Sequence, residues 1–224
     1  MTEPAGRKPV VFCDFDGTIT ENDNIIAIMK HFNPPGWEAI VDQILKRERS
    51  VQDGVGDLFS RLPVHKRSEI TDYAVRQARI RAGFREFLEL CDEGGIDFYV
   101  TSGGIDFFVH PILAPLPIKR DHIFCNGSDF SGEYIRITWP HSCDDRCANG
   151  GCGMCKTRIM RRFPPERHYR IVIGDSVTDL EAAKLADLVF ARSHLADHCA
   201  KTGMHFVPYE TFYEIADYLR KEVM

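Results

Sequence analysis

Hydrophobic and polar residues are patterned in three different ways along the chain. Residues 10–13 form a short apolar run that ends at a polar turn. Residues 24–80 carry apolar residues three and four positions apart, the spacing of amphipathic helices, and contain no convincing strand. From Gly83 onward, helical and strand patterns alternate. We therefore predict an α/β protein with a helical insertion after its first strand.

The insertion is expected to contain four helices, separated by breakers at residues 34–36 and at Pro63. Ser50 is a suitable N-cap for the third helix. The fourth helix is expected to span residues 65–78. Each of the first three has an apolar stripe: Ile25, Ile28, Met29 and Phe32 in the first, Trp37, Ile40, Val41, Ile44 and Leu45 in the second, and Val51, Val55, Leu58 and Phe59 in the third. These stripes predict a small helical bundle whose apolar side chains form its core.

The alternating region predicts a doubly wound parallel sheet with right-handed crossovers. Strands are expected at residues 96–100, 170–174, 188–191 and 205–207, with short β structure within 122–139. Helices are expected at residues 83–91, 106–113 and 209–222, with others beginning near Lys156 and running from Asp179 to Ala186.

The end of the first strand carries two acids, Asp14 and Asp16, followed by Gly17. Ligands of open α/β sheets bind at the carboxyl ends of the strands. Side chains at i and i+2 of an extended chain share a face, and two carboxylates together require a cation or a proton. The pair therefore predicts a metal-assisted site, with a solvated acidic turn as the alternative.

Composition narrows the function classes. The 224 residues carry a net charge of −5, which argues against a nucleic-acid-binding face. No run approaches the roughly 20 apolar residues that span a bilayer, and residues 1–7 lack the apolar core of a secretory signal. We therefore expect no membrane association and a cytoplasmic location. The eight cysteines are then expected as thiols or metal ligands.

Three predicted strands end in polar residues that the topology brings to one edge. They supply Asp14 and Asp16, Ser102 and Gly103, and Asp175 and Asp179, with Lys156 at the start of a helix. Several carboxylates without histidine suit Mg²⁺. A hydroxyl, backbone N–H groups and a lysine suit phosphate oxygens. The set predicts phosphoryl transfer in which a carboxylate attacks phosphorus.

Each of these residues also has a purely structural interpretation. Ser102 could be a turn residue and Lys156 a solvated cation. Asp175 and Asp179 could be the N-cap and the first-turn acid of a helix. Their joint occurrence after the appropriate strands favours the functional interpretation.

The chain resembles the haloacid dehalogenase superfamily of phosphatases in four motifs. They are Asp14-Phe15-Asp16-Gly17-Thr18, Ser102 after an apolar strand, Lys156, and Gly174-Asp175-Ser176-Val177-Thr178-Asp179. The resemblance implies a core of residues 1–20 and 81–224, with residues 21–80 as a helical cap. It also implies an active site on the core, and the acid at position 16 argues against carbon–halogen chemistry.

The resemblance further implies a role for each motif residue. Asp14 would be the nucleophile that forms an aspartyl-phosphate, and Asp16 the acid and base for the leaving oxygen and the water. Ser102, Gly103 and Lys156 would hold the phosphate. Mg²⁺ would be bound by Asp14, the backbone carbonyl of Asp16, and Asp175, with Asp179 supporting the site.

A finer resemblance points to the 2-hydroxy-3-keto-5-methylthiopentenyl-1-phosphate phosphatase family of methionine salvage. It rests on residues 83–87, 102–108, 139–143, 23–26 and 54–56. It implies a small phosphorylated metabolite as substrate. Phosphoserine phosphatase, or another small-molecule phosphomonoesterase of the superfamily, is the alternative, and it offers no reason for residues 139–143.

Four cysteines, Cys143, Cys147, Cys152 and Cys155, lie directly before Lys156. Such a group of thiols can form a closed tetrahedral zinc site that holds a loop in place. Free thiols, or disulfides formed on oxidation, remain alternatives, since the spacing is not that of a standard zinc finger.

Two other interpretations fit the sequence less well than phosphatase activity. Residues 150–157 come close to a nucleotide-binding P-loop, but Cys155 stands where that motif needs glycine and no strand directly precedes it. A non-catalytic, zinc-stabilised binding module on a decayed phosphatase fold would not need the intact acid pair and Lys156.

Overall fold

A computed structural model describes residues 6–224, and residues 1–5 of the expected core and N-terminus lie outside the described part. Its centre is a seven-stranded sheet in the order β4-β3-β2-β1-β5-β6-β7, parallel except for β4. The strands are β1 Lys8–Cys13, β2 Asp97–Ile105, β3 Ile123–Asp129, β4 Arg136–Thr138, β5 His168–Gly174, β6 Leu188–Ala191 and β7 Val207–Pro208.

Ten α-helices are described around this sheet. Four lie in the insertion after β1: α1 Asn24–Phe32, α2 Trp37–Leu45, α3 Val51–Phe59 and α4 Arg67–Gln77. The others are α5 Phe84–Glu93, α6 Asp106–Leu113, α7 Lys156–Met160, α8 Leu180–Ala183, α9 Ser193–Thr202 and α10 Phe212–Glu222. The order of helices and strands confirms the predicted fold class.

Strand β1 lies at the centre of the sheet, between β2 and β5. Phe12 pairs with Tyr99 on one side and Val172 on the other, and residues 10–13 are completely or almost completely buried. A strand covered on both faces reads as a continuous apolar run, which is why the pattern at 10–13 predicted it. The carboxyl ends of β1, β2 and β5 consequently meet at one edge.

The prediction that the second strand stops at residue 100 is wrong. Strand β2 continues to Ile105, but its pairing with β3 shifts between Thr101, opposite Phe124, and Ile105, opposite Asn126. The extra residues of β2 form a bulge that contains Ser102 and both following glycines. The polar, glycine-rich sequence of residues 101–104 indicated a turn. The backbone of these residues instead stays extended and bulges at the carboxyl edge of the sheet.

The helical insertion joins the sheet through two adjacent connections. Thr20 and Ile80 form an antiparallel bridge, and the Glu21 N–H donates to the Arg79 carbonyl at 2.8 Å. Within the insertion, the Asp53 N–H donates to Ser50 Oγ at 3.0 Å, which confirms the predicted cap of α3. Phe59 of α3 packs on Phe107 and Phe108 of α6, so the bundle is anchored to the core by aromatic contacts.

Two predicted helices differ in length from the structure. The helix expected from Asp179 to Ala186 is a 3₁₀ turn, Val177–Asp179, followed by the short α8. The helix expected at 209–222 begins only at Phe212, after a capping box of Thr211 and Glu214. No helix in residues 6–224 combines the length and apolar character needed to cross a membrane.

Candidate active site

The turn after β1 is wide and is held by a glycine. The Thr20 N–H donates to the Phe15 carbonyl at 2.9 Å, which closes a turn over residues 15–19. Gly17 has φ 78°, and a Cβ at this position would lie 2.4 Å from Asp175 Oδ2. Only glycine satisfies both the left-handed backbone and this close approach. The turn therefore brings the first and fourth motifs into contact.

Lys156 joins two acids that are distant in sequence. Its Nζ lies 2.5 Å from an oxygen of Asp14 and 2.5 Å from an oxygen of Asp179. The three side chains are 6%, 7% and 1% exposed, so these contacts are shielded from water. Lys156 is thus not the solvated cation of the structural interpretation.

The acids outnumber the lysine at this edge. Asp14, Asp175 and Asp179 each offer a carboxylate oxygen within 4.8 Å of the others. With Lys156, we call these residues the acidic site. Burial raises the pKa of Asp14 well above its usual value, although Lys156 acts in the opposite direction. Burial, followed by the charge of Asp179, raises the pKa of Asp175 to about 6. A hard divalent cation suits this set of oxygen donors and excess of negative charge.

Asp179 also organises the turn after β5. Its Oδ2 accepts hydrogen bonds from the backbone N–H groups of Asp175 and Ser176, at 3.3 and 3.2 Å. Ser176 rather than Asp175 is the N-cap of this turn. The structural interpretation of Asp179 therefore holds alongside its contact with Lys156, and Asp175 is left to face the turn of β1. Thr18 Oγ1 donates to Asp175 Oδ1 at 3.3 Å.

Asp16 points toward the insertion. The backbone N–H and the Nδ2 of Asn24 donate to Asp16 Oδ1 at 2.8 and 2.7 Å. Burial and the charge of Asp23 raise the pKa of Asp16 to about 7, although the hydrogen bonds from Asn24 act in the opposite direction. A carboxyl with a pKa near neutrality can both give and take a proton at physiological pH.

The bulge of β2 lies beside Asp16. Ser102 is fully buried, and its Oγ accepts from the Gly104 N–H at 2.8 Å. A Cβ on Gly104 would lie 3.0 Å from Ser102 Oγ and 3.3 Å from Asp16 Oδ2, so this glycine keeps open the space beside both groups. Asn126 Nδ2 donates to the Gly103 carbonyl at 2.8 Å and holds the bulge.

Sequence reasoning missed three residues that hold the first turn. Besides Asn24, Arg81 donates to the carbonyls of Gly17 and Thr18, each at 2.8 Å. Arg192 donates to the Gly17 carbonyl at 3.2 Å. Asn24 lies in the segment 23–26 of the finer resemblance, whereas Arg81 and Arg192 belong to no motif. The signal for each contact was a polar residue next to a predicted element boundary.

The comparisons with known proteins cover almost the whole chain. The family described as haloacid dehalogenase-like hydrolase matches residues 11–184. A Brevibacillus brevis protein named 2-hydroxy-3-keto-5-methylthiopentenyl-1-phosphate phosphatase is 55% identical over 215 residues, 96% of each chain. A Geobacillus kaustophilus protein of the same name is 56% identical and covers 96% of this chain and 97% of its own.

A solved structure shares the fold at much lower identity. A phospho-aspartyl intermediate analogue of phosphoserine phosphatase has a TM-score of 0.69 at 18% identity and covers 95% of this chain and 99% of its own. The comparisons confirm the predicted family, fold class and hydrolase class. The chain therefore belongs to the haloacid dehalogenase-like hydrolases.

Proposed function

We propose that this protein is a Mg²⁺-dependent phosphatase that hydrolyses 2-hydroxy-3-keto-5-methylthiopentenyl-1-phosphate in methionine salvage. The observation that carries the phosphatase chemistry is the buried contact of Lys156 with Asp14 and Asp179 at the carboxyl edge of the sheet. The substrate follows from relatives of this name that are 55% and 56% identical along nearly the full chain.

Asp14 is the proposed nucleophile. One of its carboxylate oxygens attacks phosphorus, the bond from phosphorus to the ester oxygen breaks, and an aspartyl-phosphate forms on Asp14. Asp16 gives its proton to the leaving oxygen. It then accepts a proton from the water that attacks the aspartyl-phosphate, which releases inorganic phosphate and restores both acids. The pKa of about 7 supports this double role for Asp16.

Ser102, Gly103 and Lys156 are the proposed phosphate-binding residues. Lys156 already lies against Asp14, so its ammonium group would also neutralise the phosphoryl group attached there. Ser102 and the bulge approach from the neighbouring strand, next to Asp16. This arrangement would bring donors from one strand and one helix to the phosphoryl group.

Magnesium is the proposed cofactor, since the acidic site offers carboxylate oxygens in excess of its single lysine. Asp14, Asp175 and the backbone carbonyl of Asp16 would hold the ion, and Asp179 would support it through Asp175. When bound, the ion would lower the repulsion between Asp14 and the phosphate dianion.

Residues 21–80 are the proposed cap, and residues 1–20 and 81–224 the catalytic core. The bridge between Thr20 and Ile80 marks the two ends of the insertion, and Asn24 reaches from the insertion to Asp16. A small phosphorylated metabolite is the proposed partner. A cytoplasmic location is part of the proposal and is supported by eight cysteines that form no disulfide.

Steady-state kinetics on a panel of phosphomonoesters tests this function. We expect the highest kcat/KM for the methylthiopentenyl enol phosphate, a lower value for phosphoserine and other small esters, and loss of hydrolysis with EDTA that Mg²⁺ reverses. A higher kcat/KM for phosphoserine would refute the substrate. Absence of hydrolysis of every ester by folded, Mg²⁺-supplied protein would refute the phosphatase.

A further inference from the structure

Three cysteines of the loop before Lys156 converge in space. The Sγ atoms of Cys143, Cys147 and Cys152 all lie within 4.8 Å of one another. Cys147 Sγ and Cys152 Sγ are 3.8 Å apart, and the Cys152 N–H points at Cys143 Sγ at 3.4 Å. A disulfide would require a distance of about 2.05 Å between sulfurs, so the thiols are close but not bonded.

Cys155 is the fourth cysteine of the same loop. Its Sγ lies 3.3 Å from Thr157 Oγ1, outside the three sulfurs that meet within 4.8 Å. The chain bends at residues 153 and 154, between Cys152 and Cys155, and Gly153 has φ 74°. We call Cys143, Cys147, Cys152 and Cys155 the thiol cluster.

The separation of the Cys147 and Cys152 sulfurs matches tetrahedral coordination. Four sulfurs at about 2.3 Å from a central zinc ion are about 3.8 Å from one another. The distance between Cys147 and Cys152 has this value. All four donors are soft sulfur atoms, which favour zinc over the hard cations that suit the acidic site.

The loop that carries the thiols is long and irregular. Residues 139–155 lie between β4 and α7 without a helix or strand, and such segments longer than roughly 12–15 residues are uncommon unless something holds them. Its own bonds include that from the Cys155 N–H to the His141 carbonyl, at 2.8 Å, and that from Arg158 Nη1 to the Ser142 carbonyl, at 2.8 Å. Arg146 and Arg161 both pair with Asp144 of the same loop, and the pair with Arg161 ties the loop to the residue that follows α7.

We propose that the thiol cluster binds one Zn²⁺ ion in a closed, structural site. The ion would cross-link Cys143, near the beginning of the loop, to Cys155, the residue before Lys156. The same loop touches the insertion, because the Gln52 N–H in the first turn of α3 donates to the Gly151 carbonyl at 2.9 Å. The zinc site would therefore hold the start of α7 and a contact with the insertion in one rigid loop.

Metal analysis of the purified protein tests the site directly. Protein prepared anaerobically without chelator should contain about one zinc per chain, as a closed four-cysteine site holds one ion. Cys147→Ala should lose this zinc to background, and the matched control Cys199→Ala, a buried cysteine that contacts Met204 instead, should retain it. Zinc at background in the wild type, iron in its place, or equal zinc in both variants would overturn the proposal.

Cobalt substitution gives a second readout that does not depend on a variant's folding. Wild-type protein stripped of metal and titrated with Co²⁺ should develop the absorption of tetrahedral thiolate coordination, with saturation at about one equivalent. Failure of this absorption, with the thiols reactive and reduced, overturns the proposal.

Lys156 is a phosphate ligand only under the proposed function, so an effect of the loop on catalysis rests on that function. Zinc binding by the thiol cluster does not. Asp14→Asn should keep its full zinc content while losing turnover. Wild-type protein with zinc but without any phosphatase activity would refute only the function, and active protein without zinc would refute only the site.

Discussion

The acidic site and the thiol cluster meet at adjacent residues, Lys156 and Cys155, yet they are assembled in opposite ways. The acidic site joins residues far apart in sequence, such as Lys156 and Asp14, which are 142 positions apart. The thiol cluster is contained in one irregular loop. The first is positioned by buried parallel strands, and the second has little regular structure of its own.

This difference indicates how each site depends on its ion. The sheet holds Asp14, Asp175 and Asp179 close together even though their charges repel, so the fold supplies the geometry and the cation would relieve the repulsion. A loop without a packed core cannot fix four thiols at tetrahedral spacing as firmly, so the ion would supply much of the order there. We expect mutations in the acidic site to affect chemistry most, and mutations in the thiol cluster to affect order most.

The largest expected effect comes from Asp14→Asn. The amide cannot attack phosphorus, so kcat with the preferred ester should fall by about 10⁴-fold or more. Steady-state assays measure this loss, and circular dichroism checks that the fold is retained. Turnover within tenfold of the wild type would contradict the nucleophile role. The acidic site would then no longer differ from the thiol cluster in its effect on chemistry.

Asp16→Asn should have the next largest effect. Without a proton donor and acceptor, kcat should fall by about 10²–10⁴-fold, and the aspartyl-phosphate should accumulate when the leaving group needs no protonation. Rapid quench with labelled substrate measures the trapped phosphate.

Asp23→Asn is the matched control, because this neighbouring acid caps α1 through the Ile26 N–H at 2.9 Å and asparagine caps equally well. Its loss of charge should lower the pKa of Asp16, but the carboxyl of Asp16 remains, so turnover should fall by less than about tenfold. Normal steady-state turnover of Asp16→Asn, or an equal loss in both variants, would contradict the acid and base role.

Lys156→Met tests the electrostatics of the acidic site without substrate. Removal of the ammonium leaves Asp14 and Asp179 buried without their partner, so the free energy of unfolding in metal-free buffer should fall by about 3 kcal/mol. Mg²⁺ should recover part of this loss, since it supplies the missing positive charge. Urea unfolding with and without Mg²⁺ measures both values.

Lys184→Met is the control for this change. Lys184 pairs with Glu181 at the surface, 2.6 Å away, and such exposed pairs contribute about 0–1 kcal/mol. Equal losses in the two variants, or no effect of Mg²⁺ on Lys156→Met, would show that the buried contact does not restrain the acids.

The smallest effect on chemistry is expected for Cys147→Ala. Lys156 stays in contact with Asp14 and Asp179, so kcat/KM should fall by about tenfold or less. Thermal unfolding should shift down by about 3–6 °C, because the loop loses its cross-link. A loss of activity as large as that of Asp16→Asn would show that the loop, rather than the sheet, positions Lys156.

The elements that sequence predicted well are those whose burial is strongly patterned. The strand at residues 188–191 was predicted to the residue, because all four side chains are buried. The end of β2 was wrong because Ser102 and the glycines resemble a turn in composition, and the pairing that keeps them extended comes from β3. The length of α8 was overestimated, because the apolar residues keep helical spacing beyond Ala183, where the α-helix ends.

By itself, the sequence determined the class of fold, the order of the four motifs and the edge at which they would meet, since these follow from periodicity and from the geometry of parallel strands. Only the tertiary structure decided that Lys156 lies between Asp14 and Asp179, and that Asn24 of the insertion binds Asp16. It also brought Arg81 and Arg192 to the Gly17 carbonyl. The physical reason is that periodicity encodes which face of an element is buried, whereas contacts between distant polar side chains depend on strand order, on the bulge of β2 and on the path of the insertion.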